Sequence, residues 1–334
     1  MRVLITGAAG FIGSNLARYW ITEHPDDEIV ALDALTYAGV EASLDDIRDR
    51  IAFVHGDIGD LDLVQKTLSD KGIEVIVNLA AESHNSYAVI NPRQFVRTNV
   101  LGTQSLLDAA IATGVTRVHH VSTCEVYGDL ALDDPGRFTE SSPYRPRTPY
   151  NASKASADHL VRAYHETFGL ETTISICANN LGPYQFPEKV IPYFTTLALD
   201  GKSLPVYASS QNRREWLHVL DHCRAIDVIV RSGRIGTTYN VGSGVEQTVD
   251  AIADGILKAL GAPADLRHSV PDRPGHDRRY LLDSGRIRTE LGWAPRIDFP
   301  AGLADTVRWY AGHRDWWEPL IGRSPVDEGA WRAR

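Results

Sequence analysis

Residues 3–13 read V-L-I-T-G-A-A-G-F-I-G, a short apolar run followed by a glycine-rich turn and by a helical pattern at residues 14–20. The run predicts a buried strand, and the glycines let the backbone turn tightly and approach a pyrophosphate at the start of the helix. Three spaced glycines alone are a weak signal, but the strand–turn–helix setting strengthens it. We therefore expect a dinucleotide to contact Gly7, Gly10, Phe11, Ile12 and Gly13.

A second strand pattern, at residues 28–32, ends in Asp33, which follows Gly13 by 20 residues. A carboxylate at that position can accept hydrogen bonds from the adenosine ribose hydroxyls. It would also repel a 2′-phosphate, so the sequence favours NAD over NADP. The alternative is that Asp33 is an ordinary turn residue at a strand end, and its spacing from the glycines argues against that.

Strand and helix patterns continue to alternate through the first half of the chain. Strand patterns occupy residues 51–55, 73–79 and 117–121, and a long helical pattern occupies residues 94–113. Such alternation is typical of an α/β fold with a Rossmann-type, doubly wound parallel sheet. We expect that fold here.

Two turns after these strands are candidate ligand contacts. Asp57 and Ile58 follow the third strand pattern and are predicted to meet the adenine end of the cofactor. Ala80 and Ala81 follow the fourth, where small side chains let the backbone come close to a ligand. His84 either faces the substrate or is a polar surface group, and the sequence does not separate these two interpretations.

The carboxyl end of the fifth strand carries the residues with the most chemistry. Thr123, Cys124 and Glu125 fall just beyond it, at the edge where open parallel sheets bind ligands. Tyr150 and Lys154 are four residues apart in a helical pattern, so their side chains share one face. An ammonium beside a phenol lowers the phenol's pKa from about 10 and makes it a usable proton acceptor. Y-x-x-x-K alone is typical of a solvated helix face, and only its position after the glycine turn and the acidic strand end indicates catalysis.

The second half of the chain departs from this alternation. After a strand pattern at residues 172–177, residues 179–187 break the periodicity, and we place there the change to a smaller, mixed α/β lobe that binds the substrate. The expected domains are therefore residues 1–178 and residues 179–334. Some segments of residues 179–334 can also pack as part of the first domain.

Arginines of the second half are candidate phosphate ligands, because guanidinium groups suit phosphate oxygens. Arg214 lies among aromatic and apolar neighbours and is the better candidate. Arg278 and Arg279 are either a second phosphate contact or a solvated charge run.

Composition excludes several classes of function. The 334 residues carry a net charge of −9, which argues against nucleic acid as a partner because phosphate binding needs a basic surface. No apolar run approaches the roughly 20 residues that span a bilayer, which predicts no membrane partner, and no signal peptide is visible. Cys124, Cys177 and Cys223 are widely spaced and match no metal spacing, so we expect no metal and reduced thiols in a cytoplasmic protein.

These motifs carry a resemblance that covers nearly the whole chain. The chain resembles the extended short-chain dehydrogenase/reductases, the NAD-dependent epimerase/dehydratase group, and within them the dTDP-glucose 4,6-dehydratases. The glycine turn and the Tyr–Lys pair are shared with sugar epimerases. The stretches more specific to the dehydratases are L-T-Y-A-G at 35–39, A-A-E-S-H at 80–84, E-V-Y-G-D-L at 125–130, G-P-Y-Q-F-P-E-K at 182–189 and R-P-G-H-D-R-R at 273–279.

The resemblance implies a redox-neutral reaction on a nucleotide hexose, with NAD as cofactor. Tyr150, assisted by Lys154, would accept the C4 hydroxyl proton while hydride passes from C4 to NAD, and Thr123 would orient the C4 oxygen. Glu125 would then remove the C5 proton. Water would leave from C6, and hydride would return there to give a 4-keto-6-deoxy sugar.

The same resemblance implies further contacts. Thr36 would contact the cofactor, and Asn179, Arg214 and His276 would hold the nucleotide diphosphate. The remaining residues expected to contact the substrate are His84, Glu188, Lys189 and Asn240. The family pairs through two helices of each subunit, which implies a homodimer through residues 101–111 and 155–168.

Three departures from the family pattern concern the substrate. The expected Thr-Asp-Glu is here T-C-E at residues 123–125, so the group that would protonate the leaving C6 hydroxyl is a thiol, a weaker acid than a carboxyl group. After His84 the family's V-D-R-S is replaced by N-S-Y-A at residues 85–88, and residues 208–211 replace a glycine-rich turn. These departures leave the sugar, and with it the nucleotide base, open.

Several outcomes are compatible with the sequence. Cys124 acts as the acid, or hydride returns to C4 and leaves a 5,6-ene product, or the chain is an oxidising epimerase, or Cys124 only packs. Retention of Glu125 argues against a simple 4-epimerase, which needs no base at C5. A non-catalytic NAD-binding regulator is the alternative from another class, and intact Tyr150, Lys154 and Glu125 argue against it.

Overall fold

The centre of the molecule is a parallel sheet. The computed structural model describes residues 1–272 and 277–325, and within these residues the sheet has seven strands. In spatial order they are β10 (Thr237–Val241), β6 (Glu171–Cys177), β5 (Arg117–Thr123), β4 (Val75–Asn78), β1 (Arg2–Thr6), β2 (Glu28–Asp33) and β3 (Ile51–His55). All neighbouring pairs are parallel. The predicted doubly wound α/β fold is confirmed.

Helices cover both faces of this sheet, which is why its strands are continuous apolar runs. In β1, for example, Val3, Leu4 and Ile5 are fully buried. One layer contains α1 (Phe11–Glu23) and α8 (Val219–Ser232), which pack against each other. The other layer contains α2 (Leu61–Lys71), α5 (Thr103–Thr113) and α6 (Pro149–Phe168).

The helix predicted at residues 94–113 is not one regular helix. The structure has α4 (Pro92–Phe95), then a π-helical segment (Val96–Gly102), then α5. At the end of the π-helical segment Gly102 packs against Ile58, and a Cβ at Gly102 would lie 2.9 Å from that side chain. Close packing of the helix on the turn after β3 is therefore possible only without a side chain there.

Two segments from beyond residue 178 belong to the central sheet layer. β10 pairs in parallel with β6, and α8 packs on α1. Tyr239 and Val241 of β10 are fully buried. The sequence pattern at residues 237–241 showed a strand but not its partner, because parallel pairing is decided by contacts distant in sequence.

The remaining elements form the smaller lobe. A four-stranded sheet contains β7 (Asn179–Leu181), β9 (Arg213–His218), β11 (Glu246–Thr248) and β13 (Arg279–Tyr280), and a second sheet pairs β8 (Leu204–Tyr207) with β12 (Arg267–Val270). The smaller lobe has a hydrophobic core of its own, which includes Ile191, Phe194, Trp216, Ile252 and Phe299. The helices here are α7 (Val190–Leu199), α9 (Val249–Leu260) and α11 (Phe299–Gly312). The predicted mixed α/β character of this lobe is confirmed.

The described chain also contains three short α-helices, α3 (Asn85–Ile90), α10 (Gly285–Leu291) and α12 (Arg314–Trp317). Its 3-10 helices are Glu41–Arg50, Cys124–Tyr127, Ala264–Leu266 and Glu318–Leu320. Within the two described ranges, no helix combines the length and the apolar character that crossing a bilayer would require.

Candidate active site

A cavity of about 890 Å³ lies between the carboxyl edge of the central sheet and the smaller lobe. It reaches the ends of β1 and β4, which are adjacent in the sheet although β2 and β3 come between them in sequence. The strand order reverses there, and open α/β sheets bind ligands at such a point. We therefore take this cavity as the candidate active site.

The wall of the cavity next to β1 is the glycine-rich turn into α1. Gly7 has a φ of 64°, and a Cβ there would lie 2.9 Å from the backbone of Ala80. A Cβ on Gly13 would lie 2.2 Å from the carbonyl oxygen of Gly7. No side chain caps α1 at Gly10, so N–H groups of its first turn are available to an anion in the cavity.

Asp33 stands at the end of β2 and fixes this turn. Its Oδ2 accepts the N–H of Ala9 at 2.9 Å, and its Oδ1 accepts the N–H of Leu35 at 2.8 Å. Burial raises the pKa of Asp33, and the two backbone hydrogen bonds oppose that rise. Each oxygen keeps a further lone pair, so the carboxylate can still accept hydrogen bonds from ribose hydroxyls at the cavity.

The other residues predicted to contact the cofactor also line the cavity. They are Gly10, Phe11, Ile12, Thr36, Asp57, Ile58, Ala80 and Ala81. Sequence reasoning missed the residue that joins two of these segments. Thr6 accepts hydrogen bonds from the N–H groups of Leu79 and Ala80 at 3.1 and 3.2 Å, and so ties the end of β1 to the end of β4. The only signal for it was a threonine directly before Gly7.

Tyr150 and Lys154 lie in the first turns of α6, which begins at Pro149 directly after Thr148. The hydroxyl oxygen of Thr148 accepts the N–H of Asn151 and caps the helix. Both Tyr150 and Lys154 line the cavity. Lys154 Nζ donates to the carbonyl oxygen of Val121 at 2.8 Å. Burial lowers the pKa of Lys154 to about 8 against the opposing charge of Asp158.

The predicted lowering of the Tyr150 pKa by Lys154 is opposed by two other effects in this structure. Burial, followed by the negative charge of Glu125, raises the pKa of the phenol well above its usual value, and a hydrogen bond with Thr123 opposes the rise. The physical reason is that a buried phenolate loses water and would face a carboxylate. Thr123, Glu125 and Tyr150 nevertheless meet at one end of the cavity, as predicted from their strand-end and helix positions.

Glu125 makes a hydrogen bond that sequence reasoning did not anticipate. Asn85 Nδ2 donates to its Oε2 at 2.8 Å, and Thr148 Oγ1 donates to Asn85 Oδ1 at 2.8 Å. Both Asn85 and Glu125 line the cavity. The sequence signal for this hydrogen bond is the departure from the family pattern at residues 85–88. That departure indicates a change near the sugar but gives no role to Asn85.

Cys124 is an exception among the predicted catalytic residues. Its side chain is 1% exposed and belongs to the main hydrophobic core, and it is not one of the described residues that line the cavity. Burial, with the charge of Glu125, raises the pKa of its thiol well above the usual value. The structure therefore contradicts the prediction that this thiol faces the substrate, because the side chain packs inward between two residues that face the cavity.

Most residues predicted to contact the substrate line the opposite wall of the cavity: His84, Asn179, Glu188, Lys189 and Arg214. Arg214 is 8% exposed and stacks on the ring of Tyr280 at 4.7 Å, and its guanidinium donates to backbone carbonyls of residues 213, 277 and 278. Tyr280 in turn donates to Asn179 Oδ1 at 3.2 Å. Guanidinium and amide are thus held rigidly at one side of the cavity.

Glu188 and Lys189 differ in their surroundings. Glu188 accepts a hydrogen bond from the hydroxyl of Tyr37 at 3.1 Å, and burial raises its pKa while the charge of Lys189 lowers it. Lys189 is half-exposed and donates to the carbonyl oxygen of Ser83. His84 Nδ1 accepts the N–H of Tyr87 and caps α3, so this residue is at least a structural element of the wall.

Two predicted contacts are not in the cavity wall that the structure describes. Asn240 is fully buried in β10; its amide accepts from Tyr127 and donates to the carbonyl oxygen of Phe138, so the prediction that it binds substrate is wrong. His276 lies outside the described residues. Arg278 and Arg279 pair with Asp129 and Glu246 instead of facing the cavity, because carboxylates of neighbouring elements lie within reach.

The residues present fit a dinucleotide. Any side chain at Gly7 or Gly13 would fill the cradle beside the first turn of α1, and Asp33 offers acceptors where an adenosine ribose would lie. A dinucleotide site that leads to a tyrosine, a threonine and a glutamate suits hydride transfer next to proton transfer. Fold and site together define the extended short-chain dehydrogenase/reductase class.

Comparison with known proteins narrows this class. Residues 4–306 match the family model described as GDP-mannose 4,6 dehydratase. The chain is 48% identical over 326 residues to the dTDP-glucose 4,6-dehydratase of Streptomyces niveus, which covers 96% of both chains. The solved dTDP-glucose 4,6-dehydratase of Streptomyces venezuelae, with NAD bound, has a TM-score of 0.92 at 49% identity, covering 96% of this chain and all of the other. That of Bacillus anthracis, in complex with NAD, has a TM-score of 0.90 at 42% identity over 96% of this chain and 99% of the other.

The chain belongs to this family of nucleotide-sugar 4,6-dehydratases. It is an NAD-dependent enzyme, and the predicted class of enzyme and its cofactor are confirmed. The epimerase, the 5,6-ene dehydratase and the non-catalytic regulator are not favoured, because these matches over nearly the whole chain are to 4,6-dehydratases.

Proposed function

We propose that this enzyme converts dTDP-glucose, or a closely related dTDP-hexose, into a 4-keto-6-deoxy sugar. The observation that carries the proposal is that a base, Glu125, stands at the same end of one cavity as Tyr150 and Thr123. A dehydratase needs a base at C5 in addition to the C4 proton acceptor. The choice of nucleotide and sugar rests on the relatives, which are dTDP-glucose 4,6-dehydratases.

The cavity walls divide between the two ligands. The glycine turn and Asp33 would hold the NAD, and residues 1–178 with the returning α8 and β10 would form its domain. Arg214, Asn179 and Lys189 on the opposite wall would bind the nucleotide diphosphate, since a buried guanidinium fork and an amide suit phosphate oxygens. The rest of the second half would form the substrate lobe.

Three side chains perform the proton and positioning steps. Thr123 binds the C4 oxygen through its hydroxyl and also hydrogen-bonds Tyr150, which accepts the C4 proton. Lys154 lies four residues further along the same face of α6, where its ammonium can supply positive charge. Glu125 takes the C5 proton once C4 is a ketone, since the ketone makes that proton acidic, and the protonated Glu125 then gives a proton to the C6 hydroxyl, which leaves as water. When bound, NAD would accept the hydride from C4 and, as NADH, would donate it to C6. Cys124 has no assigned step, because its side chain faces the core.

Mass spectrometry tests this proposal on a panel of dTDP- and UDP-hexoses. We expect the wild-type enzyme to give a product lighter by one water from dTDP-glucose, trapped by borodeuteride as a ketone. Tyr150→Phe should lose C4 oxidation by at least about 100-fold, since general base catalysis is of that size. Glu125→Gln should still form NADH but lose water slowly.

Three results would contradict the proposal. Water loss without a ketone would indicate a 5,6-ene product, an unchanged mass with an altered sugar would indicate epimerisation, and full activity of Tyr150→Phe would exclude its role. Melting temperature and bound NAD serve as controls that both variants are folded.

We also infer a cytoplasmic homodimer. All three thiols of the chain are buried and unpaired, which suits a reducing compartment. On α5 and its π-helical extension Val96, Leu101 and Ile111 are 42–54% exposed, and Phe168 at the end of α6 is 60% exposed. Several exposed, large apolar side chains in one helix layer favour an interface in which a second copy of the chain buries them.

A further inference from the structure

Asn85 contacts the base of the reaction directly. Its Nδ2 donates to Glu125 Oε2 at 2.8 Å, and both side chains line the cavity. In the part of the chain that the structure describes, no other side chain donates a hydrogen bond to this carboxylate. The second oxygen, Oε1, is therefore left to take up a proton from a ligand.

The direction of the amide is fixed by Thr148. The backbone N–H of Asn151 already donates to Thr148 Oγ1, so the hydroxyl proton of Thr148 goes to Asn85 Oδ1 at 2.8 Å. Oδ1 therefore accepts, and Nδ2 must be the group that faces Glu125. The amide cannot rotate by half a turn without losing both hydrogen bonds.

The backbone on both sides of this contact is anchored as well. Asn85 is the first residue of α3, whose first turn is capped by His84 Nδ1, which accepts the N–H of Tyr87. Thr148 caps α6, the helix that carries Tyr150 and Lys154. Two helix starts thus hold the chain Thr148–Asn85–Glu125 at the end of β5, beside the proton acceptor of the first step.

We propose that Asn85 is a positioning residue for Glu125 in C5 deprotonation, a role that rests on the proposed dehydratase function. One N–H of Asn85 holds Oε2 and stabilises the carboxylate, and Oε1 points to the substrate. In the step itself the C5–H bond breaks, its proton goes to Oε1, and its electron pair moves into the C4 ketone as an enolate. Asn85 takes no part in the C4 oxidation, which uses Tyr150 and Thr123.

The test separates the two steps with Asn85→Val, which restores the residue of the family pattern and removes the amide. On the hexose that the wild type converts, we expect NADH to form within about twofold of the wild-type rate. C5 deprotonation, read as deuterium uptake from heavy water, should slow by about 10–100-fold, since misplacement of a catalytic group by about 1 Å has an effect of that order. Enzyme-bound NADH should therefore accumulate, and kcat should fall while the rate of NADH formation in a single turnover does not.

Asn85→Asp is the matched variant of nearly equal shape. It can accept from Thr148, but it places a second carboxylate against Glu125, and two such groups share a proton. Its rate relative to wild type should rise as the pH falls from about 8 to about 6, since a protonated Asp can donate where the amide did. A side chain that only packs would give parallel pH profiles.

Equal deuterium uptake in Asn85→Val and wild type, or parallel pH profiles for Asn85→Asp, would overturn the inference while leaving the dehydratase function intact. If the wild type converts no hexose of the panel, the proposed function fails, and this inference fails with it. Loss of NADH formation in Asn85→Val at unchanged melting temperature would show a role in C4 oxidation and would also overturn it.

Discussion

Thr123, Cys124 and Glu125 are consecutive, yet only the first and third line the cavity. Thr123 ends β5, and Cys124 and Glu125 begin a short 3-10 helix, in which consecutive side chains point in directions about 120° apart. The middle residue therefore meets the core, where the exposure of Cys124 is 1%. At the scale of single residues, a motif position predicts a chemical role only if the side chain also points into the site.

Cys124→Ala should therefore have little effect on turnover. The thiol faces the core, so its loss should reduce kcat by less than about threefold, and its cost should be seen in stability, about 1 kcal/mol for a small cavity. Steady-state kinetics on the accepted hexose and thermal unfolding measure the two effects.

Glu125→Gln is the comparison for this variant, because it removes the neighbouring group that does line the cavity. We expect it to lose about 100-fold or more in water elimination. If Cys124→Ala lost as much as Glu125→Gln at normal stability, the thiol would be the acid for the C6 hydroxyl after all.

The raised pKa of Tyr150 also depends on the surroundings of the side chain and not on its motif position. Tyr150 and Lys154 share a helix face as their spacing predicts, but Lys154 Nζ donates to Val121, and after burial the charge of Glu125 has the largest effect on the pKa of the phenol. Phenolate and carboxylate disfavour each other. Tyr150 can accept a proton only as a phenolate, and positive charge near the phenol would favour that form.

At the scale of elements, the start of α1 is the most constrained part of the chain. The turn packs so closely that its glycines have no room for side chains, and Asp33 of β2 holds it through Ala9. The same closeness leaves the helix N-terminus accessible to a pyrophosphate. One local geometry thus serves both folding and cofactor binding.

The substitution Gly13→Ala should lower both the stability of the fold and the affinity for NAD. A Cβ there would lie 2.2 Å from the carbonyl oxygen of Gly7, which is backbone and cannot move aside like a flexible side chain. We expect the free energy of unfolding to fall by about 1–3 kcal/mol, as for other overpacked sites. NAD affinity, measured by calorimetry, should fall by about tenfold or more, since the turn must widen.

Gly312→Ala is the matched control. Gly312 is also helical, in α11, but a Cβ there would meet no atom within 4 Å. Its substitution should leave NAD affinity unchanged and stability equal or slightly higher, because Ala is the better helix former. Equal behaviour of the two variants would mean that the turn is not as tight as the distances indicate.

At the scale of the whole molecule, the two helix layers have different surfaces. The layer with α5 and α6 exposes Leu101 and Phe168 by more than half, whereas the other layer has α8 packed on α1. An exposed apolar side chain is ordinary when isolated, but several on adjacent helices mark an interface.

Replacing both Leu101 and Phe168 by Glu should convert a dimer into a monomer. Charged side chains on both subunits would have to be buried at the interface, which is unfavourable. Light scattering after size-exclusion chromatography should give twice the chain mass for the wild type and the chain mass for the variant.

Leu220→Glu is the control, since Leu220 is 40% exposed on α8 in the other layer. It should remain dimeric. A wild-type protein that is monomeric at micromolar concentration would contradict the homodimer, and dissociation of Leu220→Glu alone would place the interface on the other layer.

Features that depend on near neighbours in the chain can be predicted from the sequence alone. The glycine turn, the position of Asp33 after β2, and the Tyr150–Lys154 pair follow from local spacing, because turns, strands and helices impose fixed periods on side chains. These features also carried the class of enzyme and its cofactor. The class of enzyme and the cofactor are confirmed by the related proteins, and the local features can be predicted because each depends on a few adjacent residues.

Which side chains face the cavity depends on tertiary contacts that the sequence does not show. The tertiary structure turned Cys124 toward the core, enclosed Asn240 in hydrogen bonds within the central sheet, returned β10 to that sheet and brought Asn85 to Glu125. Each of these results depends on contacts between segments far apart in sequence. Burial and hydrogen-bond partners are set by such contacts, and no local pattern encodes them.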